Sequence, residues 1–258
     1  MSFEVHADAY GRFMGRYSEP LAQRFATLVG VAAGQRALDV GCGTGALTAE
    51  LIARLGAASV SAVDPSESFV AAAQARFPTA DVRAGSAEQL PYRDKAFDLV
   101  LAQLVVHFMR DPVAGLREMA RVARPGGTVA ACVWDHTPGG GGPLSVFWRA
   151  ALDVDPQAHD ESNLPGAREG HLAELFTAAG LRDLEPTELS VRARFEDFEA
   201  WWEPYTLGVG PAGDYVRSLD EPGVAALRKR CAELLPANGP IEITASAWTV
   251  IGRAVSRD

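Results

Sequence analysis

The chain predicts an α/β protein built on a mostly parallel sheet with helices on both faces. Three observations carry that prediction: apolar runs alternate with helical patterns through residue 135, an acidic glycine-rich turn follows the first run, and a long alternating strand returns near the end. Strands covered on both faces need continuous apolar sequence, and such runs fall at 36–41, 59–64, 80–84, 97–103 and 128–134. Helical patterns fill the gaps near 45–55, 66–76 and 112–123. The last is well marked, with Pro112 in its first turn, Val113, Leu116, Ala120 and Ala123 on one face, and Pro125-Gly126-Gly127 as the stop.

After residue 135 the rhythm changes. Residues 137–143 are almost all Gly and Pro, which predicts a mobile loop where strands end, a candidate lid. Residues 168–180 read as a helix closed by Gly180, 181–195 as an alternating strand and 241–251 as a long final strand. Between them, 196–239 is an insertion with helical and Pro/Gly-rich parts. At the front, an aromatic-basic arm with Tyr10, Arg16 and Tyr17 precedes a helical stretch over 20–28.

At 258 residues and 48% hydrophobic, the chain can bury a core without disulfides or metals. Its net charge of −9 divides unevenly, −1 over residues 1–135 and −8 over the rest, which argues against DNA or RNA as partner. Cys42, Cys132 and Cys231 lack zinc or redox spacing, and the histidines lack ligand spacing, so no metal is expected. No secretory or membrane-spanning pattern is read, and the expectation is a cytoplasmic protein without stable membrane insertion.

The chemistry concentrates in Asp39-Val40-Gly41-Cys42-Gly43-Thr44-Gly45. Alternating glycines between strand and helix permit positive φ and let a ligand approach the backbone at the helix N-terminus. Gly41-x-Gly43-x-x-Ala46 with Asp64 also satisfies a dinucleotide fingerprint, so an NAD-dependent dehydrogenase is one reading. Asp39 tilts the choice, because a carboxylate just before the turn would repel a pyrophosphate yet suits a ligand carrying an ammonium and a sulfonium. S-adenosylmethionine is such a ligand. Asp64, 19 positions after Gly45, is placed to accept both ribose hydroxyls at the neighbouring strand end.

With Val63-Asp64-Pro65-Ser66, Ala87-Glu88-Gln89-Leu90-Pro91-Tyr92, Phe97-Asp98-Leu99-Val100 and Arg124-Pro125-Gly126-Gly127 following in order, residues 36–135 resemble the class I S-adenosylmethionine-dependent methyltransferases. The likeness is to the small-molecule branch that includes the ubiquinone and menaquinone biosynthesis methyltransferases. It implies a three-layer Rossmann-like sandwich with a seven-stranded, mostly parallel sheet, an antiparallel last strand and a helical cap. The implied organisation is an arm over the cofactor site at 1–30, a cofactor-binding core at 31–195, a substrate cap at 196–239 and a final core strand at 240–258.

By the same resemblance, Asp39, Gly41, Cys42, Gly43 and Gly45 would hold the methionine part and Asp64 the ribose. Pro65, Ser86 and Ala87 would surround the adenine, and Gln103 would lie beside the methionine moiety. Ser86 stands where many relatives carry Asp, so an adenine hydrogen bond there lacks charge assistance. Tyr10, Arg16 and Tyr17 are candidates to meet the methionine carboxylate or shield the site.

The expected activity is methyl transfer to an O, C or N atom of a small-molecule acceptor, leaving S-adenosylhomocysteine. His107, just past the fourth strand, is the candidate general base. Trp201, Trp202 and Tyr205 form either an aromatic wall for the acceptor or the core of the cap. A cofactor-binding protein with a non-methylating or regulatory role is a further alternative. The acceptor's identity and a homodimeric state are left open.

Overall fold

The computed structural model describes residues 7–137 and 139–255, with side chains from residue 11 onward. Its sheet has seven strands in the order β3-β2-β1-β4-β5-β7-β6. They are β1 (Ala37–Val40), β2 (Val60–Asp64), β3 (Asp81–Ala84), β4 (Phe97–Gln103), β5 (Ala123–Trp134), β6 (Arg182–Phe195) and β7 (Ile241–Arg253). β1 to β5 pair in parallel, and β7 runs antiparallel to both β5 and β6. This is the Rossmann-like sheet with its last strand reversed.

The two-residue side-chain period of each central strand feeds two separate cores. On β4, Leu99 and Leu101 enter one core while Val100 and Ala102 enter the other, and on β5 Cys132 and Trp134 face opposite to Ala131 and Val133. The second core is closed by α4 (Pro112–Val122) and α6 (His171–Ala178), through Leu116, Met119, Leu172 and Phe176. The first is closed by α1 (Ala7–Val29), α2 (Ala46–Leu55) and α5 (Ser145–Val154), while α3 (Glu67–Arg76) packs on β2 and β3.

Three elements differ from the sequence reading. The arm is not separate from the helix at 20–28: both form the single helix α1, with Pro20 inside it. Burial of Phe13, Met14, Tyr17 and Leu21 in the first core outweighs the weak helical preference of Gly11, Gly15 and Pro20. Residues 145–154 form a helix, α5, in a stretch to which the sequence reading assigned no element. The loop itself is tied down: the Asp135 carboxylate accepts from the backbone N–H of Thr137 and Gly141, and Ser246 N–H donates to the Gly141 carbonyl.

The 196–239 insertion folds as α7 (Phe198–Trp202), a 3₁₀ turn (Glu203–Leu207), α8 (Gly210–Ser218) and α9 (Glu221–Leu234). Its aromatics share the first core with α1 and α5. Tyr205 stacks on Phe147 at 4.6 Å, meets Phe13 edge-on at 5.3 Å and touches Trp201 at 4.9 Å. Trp201→Ala would leave a large void at a site only 1% exposed, and we expect a loss of about 3–5 kcal/mol in urea unfolding; a loss below about 1 kcal/mol would show that the insertion is not part of the cooperative core.

Candidate functional site

The site grows from the turn between β1 and α2. Gly41, Gly43 and Gly45 all have positive φ, at 71°, 53° and 87°. A Cβ on Gly41 would lie 2.4 Å from Val105 and one on Gly45 2.4 Å from Phe77, so packing as well as backbone conformation requires glycine at both. At Gly43, by contrast, nothing lies within 4 Å of where a Cβ would be. That open face leaves room for a ligand to lie against bare backbone.

Two carboxylates frame the turn. β1 and β2 pair with Val40 opposite Val63, which sets Asp39 just before the turn and Asp64 beside it. Gly41 and Cys42 both donate their N–H to the Val63 carbonyl, at 2.7 and 3.0 Å. Asp64 Oδ2 accepts from Gly43 N–H and Oδ1 from Ser66 N–H, each at 2.9 Å, so one carboxylate fixes both the turn and the start of α3. Asp39 is 1% exposed and accepts a 2.6 Å hydrogen bond from Thr48 Oγ1 on α2.

Among the described residues neither carboxylate belongs to an ion pair. Desolvation therefore dominates, raising Asp39 to about 7 with a further push from Asp64, and Asp64 itself is raised by burial. The Cys42 thiol between them is pushed far up by burial and both acids, so it acts as a neutral lining group.

The remaining expected cofactor residues spread along the strand ends. Pro65 is exposed, Ser86 is half-buried and bridges to Gln89, and Ala87 is buried. Gln103, at the end of β4, donates from Nε2 to the Ser18 carbonyl at 2.9 Å, while its Oε1 is buried without a partner. The next residue, Leu104, adopts φ +62°, an uncommon conformation for a non-glycine residue, at the point where the chain leaves the sheet.

The arm residues meet the following partners. Arg16 donates to the Arg194 carbonyl at 3.1 Å and sits over the Phe195 ring. Tyr17 is buried against Trp134 and Phe195, and desolvation raises its phenol far above the usual range. Tyr10 belongs to α1, but its side chain is outside the described residues. Trp201, Trp202 and Tyr205 line neither of the two cavities described below; their rings pack on one another and on Phe147 and Phe198, the core arrangement rather than the wall.

His107 sits in a 3₁₀ turn (Val106–Phe108) past β4, buried, with Nδ1 lacking a partner. Burial, and then the neighbouring His136 at 5.9 Å between ring centroids, holds its pKa well below the ordinary histidine range. A small cavity of about 40 Å³ lies between these rings, lined by Phe13, Met14, Leu104, Trp134, Glu161 and α8. His136 Nε2 and Trp134 Nε1 are also buried without partners. Sequence reading missed His136, Trp134 and Glu161. The first two follow the fifth strand, where a ligand crevice is expected, but Glu161 carries no local signal.

Residues 38–131 match the methyltransferase domain family. This segment is a class I methyltransferase domain. It is 39% identical over 104 residues to an uncharacterized methyltransferase of Mycobacterium tuberculosis, an alignment covering 40% of this chain and 41% of the relative. A demethylmenaquinone methyltransferase of Renibacterium salmoninarum is 37% identical over 150 residues, covering 58% of this chain and 62% of the relative. The chain thus aligns with less than two thirds of the length of these curated relatives. The fold extends further: a phosphoethanolamine N-methyltransferase of Haemonchus contortus, solved with phosphomonomethylethanolamine and S-adenosylhomocysteine, superposes with a TM-score of 0.59 at 16% identity, covering 97% of this chain and 57% of that one. The methyltransferase domain ends inside β5, so it contains Asp39, the glycine turn, Asp64 and His107 but neither His136 nor the insertion.

The Asp39 carboxyl supports a direct test in the free protein. The folded state keeps a proton up to about pH 7 that the unfolded chain loses near 3.8, so this group increasingly opposes folding as pH rises through that window. Asp39→Asn removes the penalty. Relative to wild type, the variant's thermal midpoint should rise more at pH 8 than at pH 4.5, and equal offsets at the two values would contradict the assignment.

Proposed function

We propose that this chain is an S-adenosylmethionine-dependent methyltransferase that acts on a small-molecule metabolite in the cytoplasm. The observation that carries this reading is the pair of buried carboxylates, Asp39 and Asp64, set around a bare-backbone turn and in no ion pair among the described residues. Such a site favours a cationic ligand with hydroxyls to donate, and disfavours a pyrophosphate, which weighs against the dehydrogenase reading. Asp39 and the backbone of Gly41, Cys42, Gly43 and Gly45 would hold the amino-acid end, and Gln103 Oε1 is a free acceptor on the same side. Each Asp64 oxygen retains a lone pair beyond its backbone bond, enough for two ribose hydroxyls. Pro65, Ser86 and Ala87 would border the adenine.

Bound there, the cofactor supplies a methyl group activated by a sulfonium. The chain's own part is to align an acceptor, exclude water and remove a proton where the nucleophile carries one. His107 is neutral at physiological pH with Nδ1 free, so it can take a proton from an O, C or N acceptor in the adjoining cavity. Its lowered pKa makes it a weak base, suited to a nucleophile that is already acidic, such as a phenol or an enol. The cytoplasmic assignment is supported by three free, buried cysteines and, among the described residues, no helix long and apolar enough to cross a membrane.

Calorimetric titration with S-adenosylmethionine, S-adenosylhomocysteine and NAD tests the reading. We expect micromolar binding of both adenosyl ligands, weakened roughly hundredfold in Asp64→Ala through loss of the charge-assisted hydrogen bonds, and no comparable NAD binding. Tight NAD binding without response to either adenosyl ligand would overturn it.

A further inference from the structure

A second, larger cavity of about 200 Å³ opens beside the His107 pocket. His136 lines both, at the divide between them. The ring is partly exposed at its rim, yet its Nε2 is buried and unpartnered. The outer walls come from the tethered loop, from α5 and from the segment after it: Asp135, Thr137, Ser145, Trp148, Arg149 and Asp160. The cofactor residues discussed above take no part in it.

The two spaces differ in size and chemistry. A benzene-sized guest needs roughly 150 Å³, so the inner space admits a reacting edge and the outer one a ring-sized body. The inner walls are mostly apolar, with His107, His136, Trp134 and Glu161 as their polar groups. Among these, Glu161 already accepts the Trp148 indole N–H at 2.8 Å, while His107 Nδ1, His136 Nε2 and Trp134 Nε1 have no partner. The outer walls are mixed: Trp148 and Leu152 supply apolar surface, and around it stand carboxylates from Asp135, Asp153 and Asp160, hydroxyls from Thr137 and Ser145, and one guanidinium, Arg149. Acceptors dominate among its polar groups: Asp153 is already paired with Arg230 at 2.8 Å, which leaves the carboxylates of Asp135 and Asp160 against the Arg149 guanidinium. Such a surface suits a hydroxyl-rich ring that can lie on the apolar patch while donating to the acceptors around it, and it disfavours anions and hydrocarbon chains, which would leave its carboxylates repelled or desolvated without a partner.

We propose, building on the methyltransferase reading, that these cavities form one bipartite acceptor site divided at His136, whose ligand is a hydroxylated molecule with a polar, non-anionic body such as a sugar. Its reacting edge lies between His107 and His136, and its body fills the outer cavity. His136 is then a substrate-binding residue, and the outer cavity selects against lipid-tailed acceptors.

Four probes that share a phenol head test this by calorimetry on the full chain saturated with S-adenosylhomocysteine: hydroquinone, 4-hydroxyphenyl glucoside, 4-hydroxyphenyl glucuronide and 4-octyloxyphenol. The glucoside should bind at least about tenfold more tightly than each of the other three. His136→Gln should weaken it about tenfold, and Ser145→Phe, which fills the outer cavity, should erase its advantage over hydroquinone while leaving S-adenosylhomocysteine affinity intact. Tightest binding by the octyl or glucuronide probe, equal binding of glucoside and hydroquinone, or no binding by any probe would overturn the proposal. The probe comparison on the wild-type chain decides even if a variant misfolds. Failure of S-adenosylhomocysteine itself to bind would count against the methyltransferase reading instead, and the same probes titrated without it would still judge the outer cavity.

Discussion

Two carboxylates at the ends of adjacent parallel strands, in no ion pair among the described residues, set the character of this molecule. Burying an acid without a cation costs free energy, and the structure recovers only part of it through one hydroxyl on Asp39 and two backbone N–H groups on Asp64. A packing requirement alone would not keep Asp39 here, since an apolar residue would fill that strand position without the penalty. The glycine turn follows from the same constraint. Asp64 binds Gly43 N–H, the Val63 carbonyl binds the two amides before it, and Val105 and Phe77 leave no room for side chains at Gly41 and Gly45. The result is a rigid, negatively charged cradle whose open side is Gly43.

Around that cradle the fold divides its labour. The half that carries the glycine turn is built from consecutive parallel strands, β1 and β2 buried on both faces, and it contains the segment that matches the methyltransferase domain family. The cavity proposed to take the acceptor is assembled from segments far apart in sequence: α1, the turn after β4, the end of β5, the residues after α5, and α8.

This division also explains how much was legible in the sequence. Central strands must be apolar throughout, so their runs stood out, and a charged residue such as Asp39 or Asp64 within such a run is conspicuous. The turn glycines were readable because backbone conformation demands them. The continuous α1 was not, since Gly11, Gly15 and Pro20 argue locally against a helix that only the tertiary burial of Phe13, Met14 and Tyr17 stabilises. The contact of Arg16 with the Phe195 ring depends on this helix meeting β6, which no local pattern announces. The aromatic cluster at Trp201, Trp202 and Tyr205 had a composition that fits a wall or a core equally; only the stacking on Phe147 distinguishes them. Glu161 and its bond to Trp148 depend on chain segments meeting in space, for which no local pattern exists.

The role proposed for Asp39, raised to about 7 and so partly protonated at neutral pH, is to meet a cationic ligand. Its most direct measurement is the proton exchange that accompanies binding of S-adenosylmethionine at pH 7, obtained by calorimetry in two buffers of different ionisation enthalpy. A cation beside Asp39 must lower its pKa from about 7, so binding should release a fraction of a proton, and the release should vanish in Asp39→Asn. Binding with no proton exchange, or with the same release in the variant, would contradict it.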